Sequence, residues 1–235
     1  MAVALFAIQG CYFDFDGNDS FGCKRGNGNV IVQRIFIPDF HSINMSTSGN
    51  VYVRQGDFFE VEVEIDENLI DEIRRTVRNG KWDIEFDRCI KDLTRFDVYV
   101  TMPEIRALAI SGSGDIIGEN EFSGDDLELT ISGSGNMDIA FNGNSMDTRI
   151  SGSGNMRLEG DIVRLDHEVP GSGDLRAFSL FTEITKISNS GSGDSEVSVS
   201  DLLIARISGS GDIYFKGDPD TDIIISGSGD VIRID

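Results

Sequence analysis

Soft metal ligands are scarce in this chain: two His and three Cys among 235 residues are too few for a zinc or iron–sulfur centre. No run of 18 or more apolar residues occurs, so no segment is built to span a bilayer as a helix. Positive charge is also short. Lys and Arg number 20 against 41 Asp and Glu, and the field of the resulting −21 repels phosphate backbones and anionic membrane surfaces. Nucleic acid is excluded as a partner on that ground. What remains is ordinary for a soluble globular protein, with 39% hydrophobic and 26% charged residues, enough for one or two cores.

Met1 to Ile8 (MAVALFAI) are wholly apolar and give way at once to Gln9, Gly10 and Cys11. Ile8-Gln9-Gly10-Cys11 resembles a bacterial lipobox, in which a small residue precedes a Cys that is acylated and becomes the mature N-terminus. Residues 1–10 are therefore read as a lipoprotein signal remnant and Cys11 as the lipid anchor of a cell-envelope protein, held at the outer membrane on its periplasmic or outer face. No Lys or Arg precedes the apolar stretch, so a buried first strand with an incidental Cys is the competing reading. Residues 11–29, rich in Gly, Asn and Asp without periodicity, read as a flexible tether. Cys23 and Cys89 pair if their Cα atoms fall within about 7 Å; the spacing alone leaves a bridge and two free thiols both open.

The dominant signal is repetition. Ser-Gly-Ser-Gly followed by Asp or Asn occurs at 111–115, 132–136, 151–155, 190–194, 208–212 and 226–230, and Pro-Gly-Ser-Gly-Asp at 170–174. Successive starts are 21, 19, 19, 20, 18 and 18 residues apart. Ile110, Ile131, Ile150, Val169, Ile207 and Ile225 directly precede a box, and Ile116, Met137, Met156, Leu175, Ile213 and Val231 directly follow one. Beyond these the apolar alternation has a period of two, the mark of strands with one buried face. Each box is read as a corner between two short strands, its glycines letting the backbone turn through conformations closed to residues with a Cβ.

A unit of this size cannot bury its own apolar face and must stack on copies of itself. Residues 105–235 are accordingly expected to be all-β, a right-handed parallel β-helix (β-solenoid) of about seven coils of 18–21 residues. A β-propeller needs about 40 residues per blade, roughly twice this period. Residues 30–104 are expected to form an N-terminal mixed cap with one or more degenerate first coils. Within it, Ser46-Thr47-Ser48-Gly49-Asn50 is a worn version of the corner, and Asp66 caps a short helix from Glu67 to about Arg74 with an apolar stripe at Leu69, Ile70 and Ile73. Asn79-Gly80 sits where a tight hairpin would turn, with a helix stop as the alternative.

The order INMSTSGNVYVRQGDFFEVEVEIDENLIDEI (43–73), an Asn-Gly hairpin, VYVTMPEIRALAISGSGDI (98–116) and then repeated SGSGD and SGSGN boxes resembles the putative auto-transporter adhesin head GIN domain family of Gram-negative envelopes. The resemblance spans roughly residues 30 to 235. It implies an exported, often lipid-anchored β-helical protein, described as a putative adhesin and in some members as putative lipid binding. It brings no catalytic residues.

The residues themselves offer little chemistry. None of the Gly-Ser-Gly units has P-loop or Gly-x-Ser-x-Gly spacing, and a device that recurs seven times is scaffold, since an active site is singular. His41 and His167 are isolated, and His167 reads as a satisfied or half-buried structural residue. The box-closing Asp115, Asn136, Asn155, Asp174, Asp194, Asp212 and Asp230 should stack in a row, with like-charge repulsion of about 1 kcal/mol per pair offset by amide hydrogen bonds. Cation binding by that row is the competing reading. Outward positions after the boxes (Ile117, Asp138, Arg157, Arg176, Glu196, Tyr214, Ile232) are scattered in type, with Arg157 and Arg176 the pair an enzyme would use. Phe178 to Phe181, in a longer coil, either project as an apolar contact or are buried. The basic segment Arg74, Arg75, Arg78, Lys81, Arg88, Lys91 and Arg95 is a solvated hairpin surface or a docking face.

Three functions are carried forward. The first is a non-enzymatic envelope protein, an adhesin or surface-binding module presenting a rigid acidic β-helix to a protein or a surface glycan. The second is a lipid- or small-ligand-binding envelope protein. The third is a polysaccharide-acting β-helix enzyme. No cofactor, catalytic residue or metal site is expected; contact with a membrane runs only through the anchor, and the last coil's free strand edge leaves oligomerisation open.

Overall fold

The computed structural model describes residues 22–235. The apolar start, Cys11 and the first part of the tether lie outside the described residues. Among the described residues no helix is long and apolar enough to cross a membrane.

The alternation around the boxes builds a β-solenoid, as expected. Ile110 lies beside Ile131 and Ile131 beside Ile150, all in parallel register. Met137 lies beside Met156, Met156 beside Leu175, and Ile213 beside Val231. Equivalent side chains thus form columns through the interior, and Leu129, Ile131, Met137, Ile139 and Ile150 are all buried. Each such burial is worth about 1.5–3 kcal/mol, so the columns are the main source of cohesion between coils.

Two expectations about the coils need correction. The stretch between boxes is one bent strand in the central coils, Met137–Ile150, Met156–Val169, Leu175–Asn189 and Ser195–Ile207, and not two short ones. Neighbouring coils of similar length keep their ladder through the bend, so pairing scarcely breaks. In the last full coil it does break, at Gly217 (φ 106°), between Ile213–Lys216 and Asp220–Ile225.

The second correction concerns why the boxes contain glycine. None of the box glycines adopts left-handed φ. They stack instead: from the second box onward the first glycine lies on the carbonyl of the first glycine one coil earlier, as Gly152 does on Gly133, and the second on the second, as Gly154 does on Gly135. A Cβ at either position would overlap that oxygen. Ser153 N–H meanwhile donates to the Gly133 carbonyl at 3.1 Å and Ser172 N–H to Gly152 at 2.9 Å, so the corners are hydrogen-bonded columns in their own right.

Two further coils precede residue 105, and they stack out of sequence order. Ser42–Met45 lies between Lys81–Ile84 and Ala107–Ile110, parallel to both, and Asn50–Gln55 lies between Phe96–Met102 and Asp115–Gly118. The chain makes the coil at 42–55, leaves it, makes the terminal coil at 81–102 beneath it, and returns above it at 107. The worn corner is a true one: Ser111 N–H donates to Met45 O at 2.9 Å, Gly114 to Thr47 O at 3.1 Å and Asp115 to Gly49 O at 3.0 Å.

Glu60–Asp66 runs antiparallel to Phe96–Met102 and to Val30–Arg34, curling a mixed sheet over this end of the stack. Val77–Arg78 pairs antiparallel with Lys81–Ile84 around Asn79 (φ 52°) and Gly80 (φ 71°), the hairpin the Asn-Gly pair predicts. The helix is a 3-10 turn, Glu67–Glu72, with Leu69, Ile70 and the following Ile73 buried. Asp66 does not cap it. Its buried carboxylate instead accepts Thr94 N–H at 2.8 Å, Thr94 Oγ1 at 2.9 Å and Gly28 N–H at 2.7 Å. Burial alone would raise its pKa, but the donors from Thr94 and Gly28 outweigh it and hold the pKa below the usual value.

Cys23 and Cys89 form a disulfide, with Cα atoms 4.4 Å apart, next to the short parallel pair Lys24–Arg25 and Ile90–Lys91. Closing a loop of 66 residues restricts the unfolded chain by about 4 kcal/mol in the loop-entropy account.

Candidate functional site

The box-closing residues form the expected row and extend it by two. Asn50 lies in register with both Asp115 and Asp97, so the row begins at Asp97. Asp97 has no Gly-Ser-Gly before it, because its corner is built by the excursion through residues 85–95, and sequence alone offered no signal for it. The backbone N–H of each rung from Asn136 to Asp230 donates to Oδ1 of the rung before, at 2.6–3.1 Å. A hydrogen bond to a charged acceptor is worth about 1.5–3 kcal/mol, against about 1 kcal/mol of repulsion per carboxylate pair, so the amides win. Among the described residues no group of three or more His, Cys, Asp or Glu is arranged to hold a metal ion.

The ladder separates charge from acceptor. Asp194→Asn keeps an Oδ1 for Asp212 N–H and relieves repulsion with Asp174 and Asp212, so its urea midpoint is expected at or above that of wild type. Asp194→Ala loses the acceptor and is expected to cost about 1.5–3 kcal/mol. A lower midpoint for Asp194→Asn would show that the charge, not the acceptor, holds the row.

The outward row also lies as the repeat places it, with Asp138, Arg157, Arg176, Glu196, Tyr214 and Ile232 on consecutive coils. Arg157 is held by Asp138 at 3.2 Å and by Glu159, which ties up one member of the arginine pair an enzyme would need. In the cap, Arg74 binds Asp87 at 2.7 Å, Arg88 binds Glu72 at 2.9 Å, Arg95 binds Asp97 at 2.7 Å and Lys81 binds Asp83 at 3.3 Å. That basic segment therefore presents largely neutralised cations.

His167 is a structural residue, fully buried in the interior column between Thr148 and Ile187. Its Nδ1 lies 2.6 Å from Thr148 Oγ1, and among the described residues Nε2 has no hydrogen-bond partner. Desolvation pushes its pKa down to about 3, so the ring is neutral and sealed from substrate. His41 sets its Nδ1 2.9 Å from Ser42 Oγ and packs its ring on Gly80.

A concave site arises where coil length changes. Against the following coil, the strand Leu175–Asn189 slips register between Ala177 and Phe181, leaving residues 178–180 without partners. Leu180 points into the core, Phe178 is half-buried, and Phe181 is turned outward and 59% exposed. The next two coils are shorter by two residues, and the excursion overhangs them. Around it runs a lateral cleft of about 810 Å³, lined from the coils on both sides of the excursion. Its walls are Phe178, Phe181 and Val163, with Thr182, Ser198 and Val199 deeper in and Asp161, Glu183, Lys216 and Asp218 at the lining's charged positions. Lys216 Nζ stands 4.6 Å from the centre of the Phe178 ring.

The two buried hydroxyls in this cleft, Thr182 and Ser198, serve the backbone. Thr182 Oγ1 donates to Ser198 O at 2.9 Å and Ser198 Oγ to Phe178 O at 2.8 Å, and among the described residues no His or Cys lines the cleft. The arrangement offers contact area and charge but no paired nucleophile and base. The overhang was readable as one of two outcomes from Phe178 to Phe181; the carboxylates were not, because only coil-to-coil register brings Asp161 beside Phe181.

The fold and site together define a parallel β-solenoid closed at one end by a curled mixed sheet, with a lateral cleft and a hydrogen-bonded Asp/Asn ladder. Residues 39–219 match the family described as "Putative auto-transporter adhesin, head GIN domain", and the chain belongs to that family. An adhesin family points to the cell envelope.

Solved structures share the fold. A putative adhesin from Bacteroides fragilis is 23% identical with a TM-score of 0.84, covering 90% of this chain and 100% of its own. A protein from Parabacteroides distasonis described as a putative lipid binding protein is 24% identical, with a TM-score of 0.75 and coverage of 90% and 99%. A putative adhesin from Parabacteroides merdae is 22% identical, with a TM-score of 0.74 and the same coverage. Comparison with curated proteins gives no match.

Proposed function

We propose that this chain is a non-enzymatic binding module of the cell envelope, whose rigid acidic stack presents the lateral cleft to a protein or a surface glycan. The observation that carries this reading is the outward turn of Phe181 at the register slip. An exposed ring forgoes about 1.5–3 kcal/mol of burial, and an apolar wall kept in water marks a contact surface. The backbone-bonded Thr182 and Ser198 hydroxyls beneath it argue against hydrolysis there. Binding of the mature protein to glycan and host-protein arrays, repeated with Phe181→Ala, tests it. A loss of about tenfold or more is expected for the ligand found; an identical array profile would move the contact surface elsewhere.

The reading extends to location, with Cys11 acylated after removal of residues 1–10 and the protein held at the outer membrane. The Cys23–Cys89 disulfide supports an oxidising compartment. Cys11→Ser should move the protein from the membrane to the soluble fraction, and an unchanged distribution would remove the anchor. A single acyl chain along Phe178, Phe181 and Val163 is a second reading, favoured by that apolar wall, and native mass spectrometry would show the bound lipid.

A further inference from the structure

We infer that the cleft takes a basic peptide segment, with cationic side chains against Asp161 and Glu183 and an aliphatic side chain against Phe181 and Val163. This rests on the contact role proposed above for the same cleft and names its partner class.

The argument is one of charge complementarity at a shaped apolar surface. Asp161 is the register partner of Phe181 on the adjacent coil, one strand spacing of about 4.8 Å away. Glu183 is two residues beyond Phe181 on the same outward face of its strand, about 6.6 Å along it. An exposed ring is thus flanked by two exposed carboxylates in two directions. Among the described residues neither carboxylate forms an ion pair. The remaining charges around the cleft are already engaged: Asp218 accepts Arg233 at 2.7 Å, and Lys216 is set over the Phe178 ring.

A Lys or Arg side chain suits this arrangement because it is apolar along its stem and charged at its tip. The stem lies on Phe181 while the tip meets a carboxylate, and the same cation is attracted to the ring face. Residues 107–235 hold 23 acidic against 8 basic residues, so the surrounding field also draws in cations and repels anionic headgroups and acidic glycans.

Fluorescence anisotropy with a labelled short peptide of alternating Lys and Leu, on the full chain, tests the inference. Binding is expected and should weaken with added salt. Asp161→Asn/Glu183→Gln and, separately, Phe181→Ala should each weaken it about tenfold or more. Asp57→Asn/Glu121→Gln removes the same charge from exposed positions outside the cleft and should change it less than about twofold. Equal weakening by both double variants would overturn the inference, since the peptide would then be reading the net charge of the stack. So would tighter binding of a Glu and Leu peptide. If the arrays yield a Phe181-dependent glycan while the Lys and Leu peptide does not bind, the inference falls and the contact role stands; if neither shows Phe181 dependence, both fall.

Discussion

Gly154→Ala is expected to cost about 3 kcal/mol or more, and Gly154→Val to cost more still. The new Cβ would overlap the carbonyl of Gly135 and approach Ile131 Cγ2 at 3.0 Å. Backbone cannot rotate out of the way as a flexible side chain can. The two coils must separate locally, which stretches the Ser153 to Gly133 hydrogen bond and opens the ladder beside it. Because each coil touches only its neighbours, a break in mid-stack uncouples the coils above from those below. Gly124→Ala is the control: its Cβ meets nothing closer than Phe141 Cε2 at 3.6 Å, and a change within about 0.5 kcal/mol is expected. Urea denaturation followed by circular dichroism reads both. Gly154→Ala unfolding together with wild type would show that the columns tolerate separation and that glycine serves the turn after all.

Acid should weaken the fold well before the carboxylates titrate, through His167. Its folded pKa of about 3 lies far below the 6.5 of an unburied imidazole. Between those values the unfolded chain binds a proton that the folded chain refuses, so stability is full above about pH 6.5 and falls as pH drops toward 3, by on the order of 4–5 kcal/mol in all. Asp66 and Glu72 have lowered folded pKa values and contribute in the same direction, but only as pH falls through the carboxylate range. His167→Ile places the residue of the next coil, Ile187, in the same column and leaves Thr148 Oγ1 the carbonyl of Asp166 at 3.4 Å. It should flatten the stability profile between pH 6.5 and 4.5 at a cost of less than about 1.5 kcal/mol at neutral pH. A variant that keeps the wild-type slope in that window would assign the acid sensitivity to other groups.

Much of this architecture is legible residue by residue. The Gly-Ser-Gly boxes mark the corners, the alternation around them marks the buried columns, and Ser46 to Asn50 marks one early coil even in worn form. Asn79-Gly80 marks the hairpin because left-handed φ at two successive residues is a local property of those residues. Other features failed to show because they belong to pairs of coils. The coil at 81–102 lacks the box and stacks out of chain order, so Asp97 could not be seen as the first rung. Asp66 stands where a helix cap would stand, yet three donors from distant loops claim its carboxylate. The cleft needed both the extra length of Phe178 to Phe181, which is visible, and the identity of the neighbours across the slip, which is not.

The sequence by itself determined the period, the buried face of each strand and the acidity of the stack, because these depend on residue type and spacing along one chain. Tertiary structure alone decided why the boxes are glycine, which coil lies beneath which, and which charges meet around Phe181. Those are contacts between backbone and side chains many residues apart, and they exist only once the coils close on one another.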